Sequence, residues 1–253
     1  MRGPLLIVLV GMLLAGCGLR GPTPPLLRPT SAPELLAGLA ARRAAITSLR
    51  ARLRVRGLAG VWTREALLVR RPDCVRVDVL SPLGVAYALG ARGTLLWAYP
   101  SAEATRYEGR ATPANVTRFL GAPIKVADVV DVLLGVPPAR ASVGPPALET
   151  TPAGEYRLTL PLADGVQTLW FDGDTLAVVR AEESHGGAVA LRVVFGDYQE
   201  SFPRSLELEA PASGTGVKLL YGAVEPNVPI DPALFDPPPA PRVLPLGAAA
   251  RTR

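Results

Sequence analysis

Apolar and polar residues alternate with period two along most of this chain. The clearest case is Leu49-Arg-Ala-Arg-Leu-Arg-Val-Arg56, where Leu49, Ala51, Leu53 and Val55 share one face and Arg50, Arg52, Arg54 and Arg56 the other. Such a segment is a half-buried strand with an arginine stripe outside. The stripe suits lipid headgroups or an acidic partner protein, and equally a solvated face that blunts edge pairing. Further strand-like segments fall at 61–70, 74–80, 85–90, 94–99, 104–108, 155–160, 166–171, 175–182, 188–196, 204–210 and 216–221. Turn residues separate them, among them Arg92-Gly93, Asp164-Gly165, Asp172-Gly173-Asp174 and Gly186-Gly187. About a dozen short strands predict an antiparallel sheet rolled on itself.

The period changes in three places. Ser31-Ala-Pro-Glu34 has capping-box spacing, and Leu35, Leu36, Leu39 and Ile46 recur at helical spacing, which predicts a helix over 32–47. Thr112 followed by Pro113 starts a second helix that runs to Leu120 and stops at Gly121. Val126, Val129, Val130, Leu133 and Leu134 line one side of a third, closed by Gly135 and Pro137. Val75, Val77 and Val79 share one side of a strand, as do Leu95, Trp97 and Tyr99. If helices cover such a sheet imperfectly an apolar cleft remains, and if they cover it fully the result is a packed core. Periodicity is compatible with both.

Composition narrows the chemistry. Of 253 residues 49% are hydrophobic and 19% charged, enough to bury a core. The net charge is +5, and Lys125 and Lys218 are the only lysines among 27 basic residues. The arginines are scattered rather than clustered among aromatics, so no nucleic-acid partner is expected. One histidine, His185, and two cysteines exclude a multi-histidine metal site, a zinc-cysteine cluster and a disulfide framework. Cys74 reads as a structural thiol. Asp172 and Asp174 read as hairpin-turn residues, and Asp128 with Asp131 as a solvated helix face. No nucleophile elbow, phosphate loop or dinucleotide fingerprint is present. No catalytic residue, metal or cofactor is expected, and the chain does not read as an enzyme.

The amino terminus supplies an address. Arg2 precedes a short apolar run, Leu5 to Leu14, which ends in Leu-Ala-Gly-Cys17. The run is half the ~20 residues a spanning helix needs. It reads as a lipoprotein export signal over 1–16, with the thiol of Cys17 acylated after cleavage. Two or more fatty chains hold a protein on a bilayer with no spanning helix. Residues 17–30 hold Pro22, Pro24, Pro25 and Pro29 and read as a tether. The folded domain is expected over 31–236. Eight prolines between 226 and 245 predict an irregular, disordered tail over 237–253. Gly18, with no aspartate after the cysteine, is similar to Gram-negative lipoproteins sorted to the outer membrane.

Two stretches carry a family resemblance. Val75-Arg-Val-Asp-Val-Leu-Ser-Pro-Leu-Gly84 is a strand running into a turn, and Phe119-Leu-Gly-Ala-Pro-Ile continues through Val126 to Leu-Leu-Gly-Val-Pro137. Together they resemble the LolB family, outer-membrane receptors that accept lipoproteins from the periplasmic carrier LolA. Ser81 stands where that family has asparagine, and Val136 where it has leucine. The match covers about 61–138. Phe195-Gly-Asp-Tyr198 and Asn227 to Pro232 resemble the wider LolA/LolB-like superfamily loosely.

The resemblance implies a mainly β (α+β) fold, an unclosed antiparallel β barrel of 11–12 strands with helices over a hydrophobic cavity. It implies that Leu83, presented by Pro82 and Gly84, contacts the membrane. Acyl chains would line up against Val75, Val77, Val79, Leu95, Trp97, Val126, Val130, Leu133 and Leu134. The expected partners are acyl chains, a LolA-like carrier and the outer membrane through Cys17, with the protein a monomer. Two other readings stay open: a carrier of phospholipid or another envelope lipid, and a structural or sensory lipoprotein that binds a protein partner.

Overall fold

The computed structural model describes residues 27–57, 60–122, 124–138 and 140–246. Helix α1 (Ala32–Ala45) leads into six strands: β1 (Ser48–Arg56), β2 (Trp62–Arg70), β3 (Cys74–Ser81), β4 (Gly84–Arg92), β5 (Leu95–Pro100) and β6 (Thr105–Arg110). Helices α2 (Pro113–Leu120) and α3 (Val126–Leu133) follow. The second half comprises β7 (Ala147–Thr150), β8 (Glu155–Leu162), β9 (Gly165–Asp172), β10 (Val178–His185), β11 (Ala188–Gln199), β12 (Phe202–Ala210), β13 (Thr215–Pro226) and β14 (Arg242–Pro245).

All the strands belong to one sheet, in the order β14-β6-β5-β4-β3-β2-β1-β13-β12-β11-β10-β9-β8-β7. Neighbours pair antiparallel except β14, which joins β6 in parallel. The sheet has two free edges, β14 and β7, so it is an unclosed barrel. Sequence periodicity finds every strand except the two four-residue ones, β7 and β14, which are too short to show an alternation. The helices start where their caps predict. Ser31 N–H and Oγ both donate to Glu34 Oε2, at 2.8 and 2.9 Å, and Thr112 Oγ1 accepts from Asn115 N–H.

Antiparallel pairing gives the barrel two rims. One carries the turns around Leu83, Gly186-Gly187 and Ser213-Gly214. The opposite one carries Arg71, Gly173 and Asn227. The inner face is filled by a core of Leu49, Leu67, Val69, Leu158, Leu169, Phe195, Leu206 and their neighbours, onto which Val130 and Leu134 close. Helix α3 lies against β2 and β3, and Tyr221 Oη donates to the carbonyl of Leu133 at 2.9 Å.

Two expectations change here. Strand β1 is paired on both sides, with β2 and β13, so its arginine stripe does not protect an edge. The proline-rich composition predicts an irregular tail from 237, yet the chain to 246 is built into the fold. Residues 228–241 run over the outer face as a strap, after which β14 extends the sheet and Leu246 joins the inner core. Phe235, fully buried, packs with Cys74 and Ile230, and Trp97 Nε1 donates to the carbonyl of Phe235 at 3.0 Å. The indole lies so close over Gly90 that a Cβ there would overlap it. Arg76 and Arg106 donate to the carbonyls of Leu234 and Pro238, and Leu246 packs against Gly109. The prolines stop the strap from forming sheet of its own while it gives its carbonyls to arginines beneath.

Phe235→Ala should lower the unfolding free energy by about 3–5 kcal/mol with an unchanged denaturant slope, measured by urea titration. An unchanged midpoint would show that the strap is not part of the folded unit.

Candidate functional site

The inner face is unevenly covered. In the row nearest the Arg71 rim Leu49, Val69, Ala91 and Leu96 are fully buried and Val75 is half-buried, and Ala51, Leu53 and Leu67 on β1 and β2 are fully buried as well. Toward the Leu83 rim, Val55, Thr63, Glu65, Val77, Val79, Tyr87 and Leu89 are each only half-buried. Register places Glu65, Val79 and Tyr87 side by side on β2, β3 and β4, with Leu67, Val77 and Leu89 in the next row. The Arg71 end is therefore mainly packed core, and the incompletely covered, mainly apolar surface lies on β3 and β4 and the adjoining ends of β1 and β2 toward Leu83. The two possibilities left open by periodicity are realised in one sheet.

The residues expected to line an acyl cavity divide accordingly. Val75, Val77 and Val79 lie on the inner face, half-buried. Val126, Val130, Leu133 and Leu134 lie on the inner side too, but they are at most 8% exposed and plug it. Leu95 and Trp97 are on the wrong face. Register sets Leu96 opposite Ala91 and Ala98 opposite Leu89, so Leu96 and Ala98 point inward, whereas Trp97 points outward under the strap. The run Leu95-Leu96-Trp97 is apolar throughout, so its alternation has no readable phase. Sequence reasoning missed Glu65, Tyr87 and Leu89. Their signal was available, because they alternate in phase with Leu67, Val69 and Ala91.

A hollow of about 160 Å³ lies under α1, lined by Leu36, Leu39, Pro137, Pro138, Leu160 and Leu169. Of the fourteen residues of α1 only Leu35 is buried, so this helix is more weakly held than the sheet below it. A larger open groove of about 510 Å³ between Thr47, Arg70 and Asn227–Asp231 is polar and shallow by comparison.

Helix α3 corrects a further expectation. Asp128 and Asp131 are not solvated: they are 8% and 2% exposed. Arg140 binds Asp128 with two hydrogen bonds of 2.9 Å and Glu183 with one of 2.8 Å. Asp131 is held by Arg71 and, at 3.0 Å, by Arg43 of α1. Burial and then the neighbouring Arg43 lower the Arg71 guanidinium to about 10. Burial alone would lower Arg140 as well, but its bonds to Asp128 and Glu183 outweigh it and the net shift is upward. All three arginines are remote in sequence from the acids they neutralise, beyond the reach of local pattern.

At the Leu83 rim, Ser81 Oγ accepts from Leu83 N–H at 3.2 Å and donates to the carbonyl of Gly84 at 2.9 Å. Gly84 has φ of 114°, a conformation natural to glycine. Pro82 and Gly84 are exposed, and the Leu83 side chain is 100% exposed. Exposed Val61, Leu80 and Val85 flank it. Cys17, residues 1–16 and most of the tether lie outside the described residues. The tether's last part is docked at the opposite rim, where Arg28 N–H donates to Gly173 and its carbonyl accepts from Tyr156 Oη, both at 2.8 Å. Asp172 caps its turn through Thr175, as expected. Among the described residues no group of three His, Cys, Asp or Glu side chains could hold a metal ion, and no helix is long and apolar enough to cross a membrane.

Solved structures of low sequence identity share this fold, LolA superfamily proteins among them. The structure is similar to a LolA superfamily protein from Nitrosomonas europaea, with a TM-score of 0.54, 16% identity, and coverage of 83% of this chain and 99% of that one. A domain from Vibrio parahaemolyticus assigned to outer membrane lipoprotein sorting gives 0.54 at 13% identity, covering 80% of this chain and 95% of that one. A DUF1329 family protein from Desulfovibrio piger gives 0.52 at 14% identity, covering 80% and 95%. No family model and no curated protein matches the sequence.

Glu65 sits in the incompletely covered region, and burial raises its carboxyl above the usual range despite a 2.8 Å hydrogen bond from Thr63. A raised folded-state value means the folded protein holds this proton more tightly, so stability falls as pH rises through it. Glu65→Gln should melt higher than the unsubstituted protein at about pH 7, with the gap closing toward about pH 4. A gap independent of pH would mean that the carboxyl is solvated.

Proposed function

We propose that the protein is a lipid-anchored receptor that takes acyl chains of lipoproteins onto the uncovered part of its inner face and delivers them to the outer membrane. The observation that carries this reading is the continuity of that half-buried apolar surface with the rim bearing the fully exposed Leu83. Val77, Val79 and Leu89 would meet the acyl chain. Lifting α1 would extend the site into the hollow beside Leu39 and Leu169. Val126, Val130, Leu133 and Leu134 form the back wall rather than the lining.

The energetics need no nucleotide. Each sheltered methylene is worth about 0.8 kcal/mol, so about ten would contribute on the order of 8 kcal/mol before ordering costs. A bilayer buries the whole chain, and transfer from protein to membrane runs downhill. Leu83 would gain roughly 1.5–3 kcal/mol on entering the acyl boundary, enough to hold the open end against the bilayer transiently.

The anchor sets a geometric condition. Ten residues from Cys17 to Leu27 span at most about 33–36 Å. The tether docks at the rim opposite Leu83, and a nine-residue strand such as β1 is about 30 Å long. The tether is just long enough for Leu83 to touch the bilayer that holds Cys17.

In a transfer assay from a carrier loaded with triacylated lipoprotein, Leu83→Glu should accept cargo normally and deliver it to liposomes about tenfold more slowly or worse. Cargo that never reaches the unsubstituted protein, with phospholipid or glycolipid co-purifying instead, would replace this reading with a lipid carrier. Neither lipid nor cargo would favour a protein-binding lipoprotein. Deleting five residues from 18–26 shortens the reach by about 17 Å and should stall delivery like Leu83→Glu, while inserting five should not. Normal delivery after the deletion would contradict the tether geometry.

A further inference from the structure

The outer face beside the Leu83 rim has a composition that folding does not explain. Register aligns Val85, Leu80, Arg64, Arg54 and Leu220 in one row across β4, β3, β2, β1 and β13. The next row toward the rim holds Trp62, Arg56 and Lys218. Arg54 and Arg64 face each other directly in the interior of the sheet, a like-charge pair that costs stability. Arg54 stacks 4.9 Å above the ring of Trp62. Arg56 and Arg64 are exposed and have no ion pair among the described residues, whereas Arg50 is paired with Glu225 and Lys218 with Glu207. Beyond these rows stand Leu83 and Val61, 100% and 68% exposed, while Leu80 and Val85, in the row of Arg64, are 41% and 39% exposed.

Exposed aliphatics at a tip, with a half-buried tryptophan and the unpaired Arg56 in the row behind them and Arg64 one row further, match the two zones of a bilayer interface: acyl chains, then a headgroup layer of aromatic and cationic contacts. Guanidinium groups bind phosphate oxygens through two parallel hydrogen bonds, and their stems cover apolar surface on the way. We propose that this corner docks on anionic phospholipid, with Leu83 and Val61 entering the acyl boundary and Arg54, Arg56 and Arg64 holding headgroup phosphates. The inference rests on the reading that Leu83 faces the membrane, and it adds a lipid charge preference to it.

The test uses the full-length lipoprotein reconstituted into vesicles of phosphatidylcholine alone or with phosphatidylglycerol, each carrying acyl-brominated lipid that quenches tryptophan. Trp97 is fully buried and Trp170 8% exposed, so the membrane-dependent quenching reports chiefly on Trp62. Quenching should be several-fold greater with phosphatidylglycerol, and high salt should remove the difference. Arg56→Gln/Arg64→Gln, which leaves the Arg54–Trp62 stack intact, should lose that excess and keep the phosphatidylcholine level, while Leu83→Glu loses both. Undiminished quenching of the double variant on phosphatidylglycerol overturns the headgroup role. If Leu83→Glu still loses quenching in that case, the membrane role of Leu83 stands; if it does not, both fall. A double variant unaffected on vesicles but weakened toward an acidic carrier protein would assign the arginines to a protein partner instead.

Discussion

Two carboxylates on a buried helix are the constraint around which this molecule is arranged. Helix α3 offers Val126, Val130, Leu133 and Leu134 to the interior of the rolled sheet, but Asp128 and Asp131 go in with it. An unpaired buried carboxylate is costly, and breaking such a pair typically destabilises by about 3–5 kcal/mol. Arg140 answers Asp128, and Arg71 with Arg43 answers Asp131. These bonds fix α3 to the β2–β3 turn and to α1, and so decide where the interior is filled. What α3 does not reach remains uncovered, and that is the end bordered by Leu83.

The same sheet must also be closed from outside. Residues 228–241 cover Trp97, Cys74 and the outer side of β3 to β6, and β14 joins the β6 edge. With that side closed, the most exposed apolar side chain, Leu83, stands with Val61, Leu80 and Val85 at one corner. The proposed acyl binding would use this asymmetry: a rigid wall, an incompletely covered face that a flexible chain can occupy, and one place where that face meets a bilayer.

Much of this was legible in the sequence, and the failures have physical causes. Period-two alternation located every strand long enough to show it, and Ser31, Thr112 and Gly121 marked helix ends because capping is a local interaction. The Ser81-Pro-Leu-Gly84 turn was readable for the same reason. Leu95 and Trp97 were assigned to the wrong face because three consecutive apolar residues carry no phase. The aspartates of α3 were misread because their partners at 43, 71 and 140 are brought together by topology alone. The strap was taken for an irregular tail because proline density reports what a segment cannot pair with, not what it can lie on. Whether the inner face was packed or open could not be decided from alternation, since both states present the same pattern; the helices decide it.

The most direct test of this division of the inner face is photocrosslinking with a lipoprotein whose acyl chain carries a diazirine, followed by peptide mapping. Labelling should fall on β3 and β4, at Val77, Val79 and Leu89, and extend to α1 at Leu36 and Leu39. Labelling confined to the outer face around Trp97 and Phe235, or none above the level seen when excess unlabelled lipoprotein competes, would contradict the account.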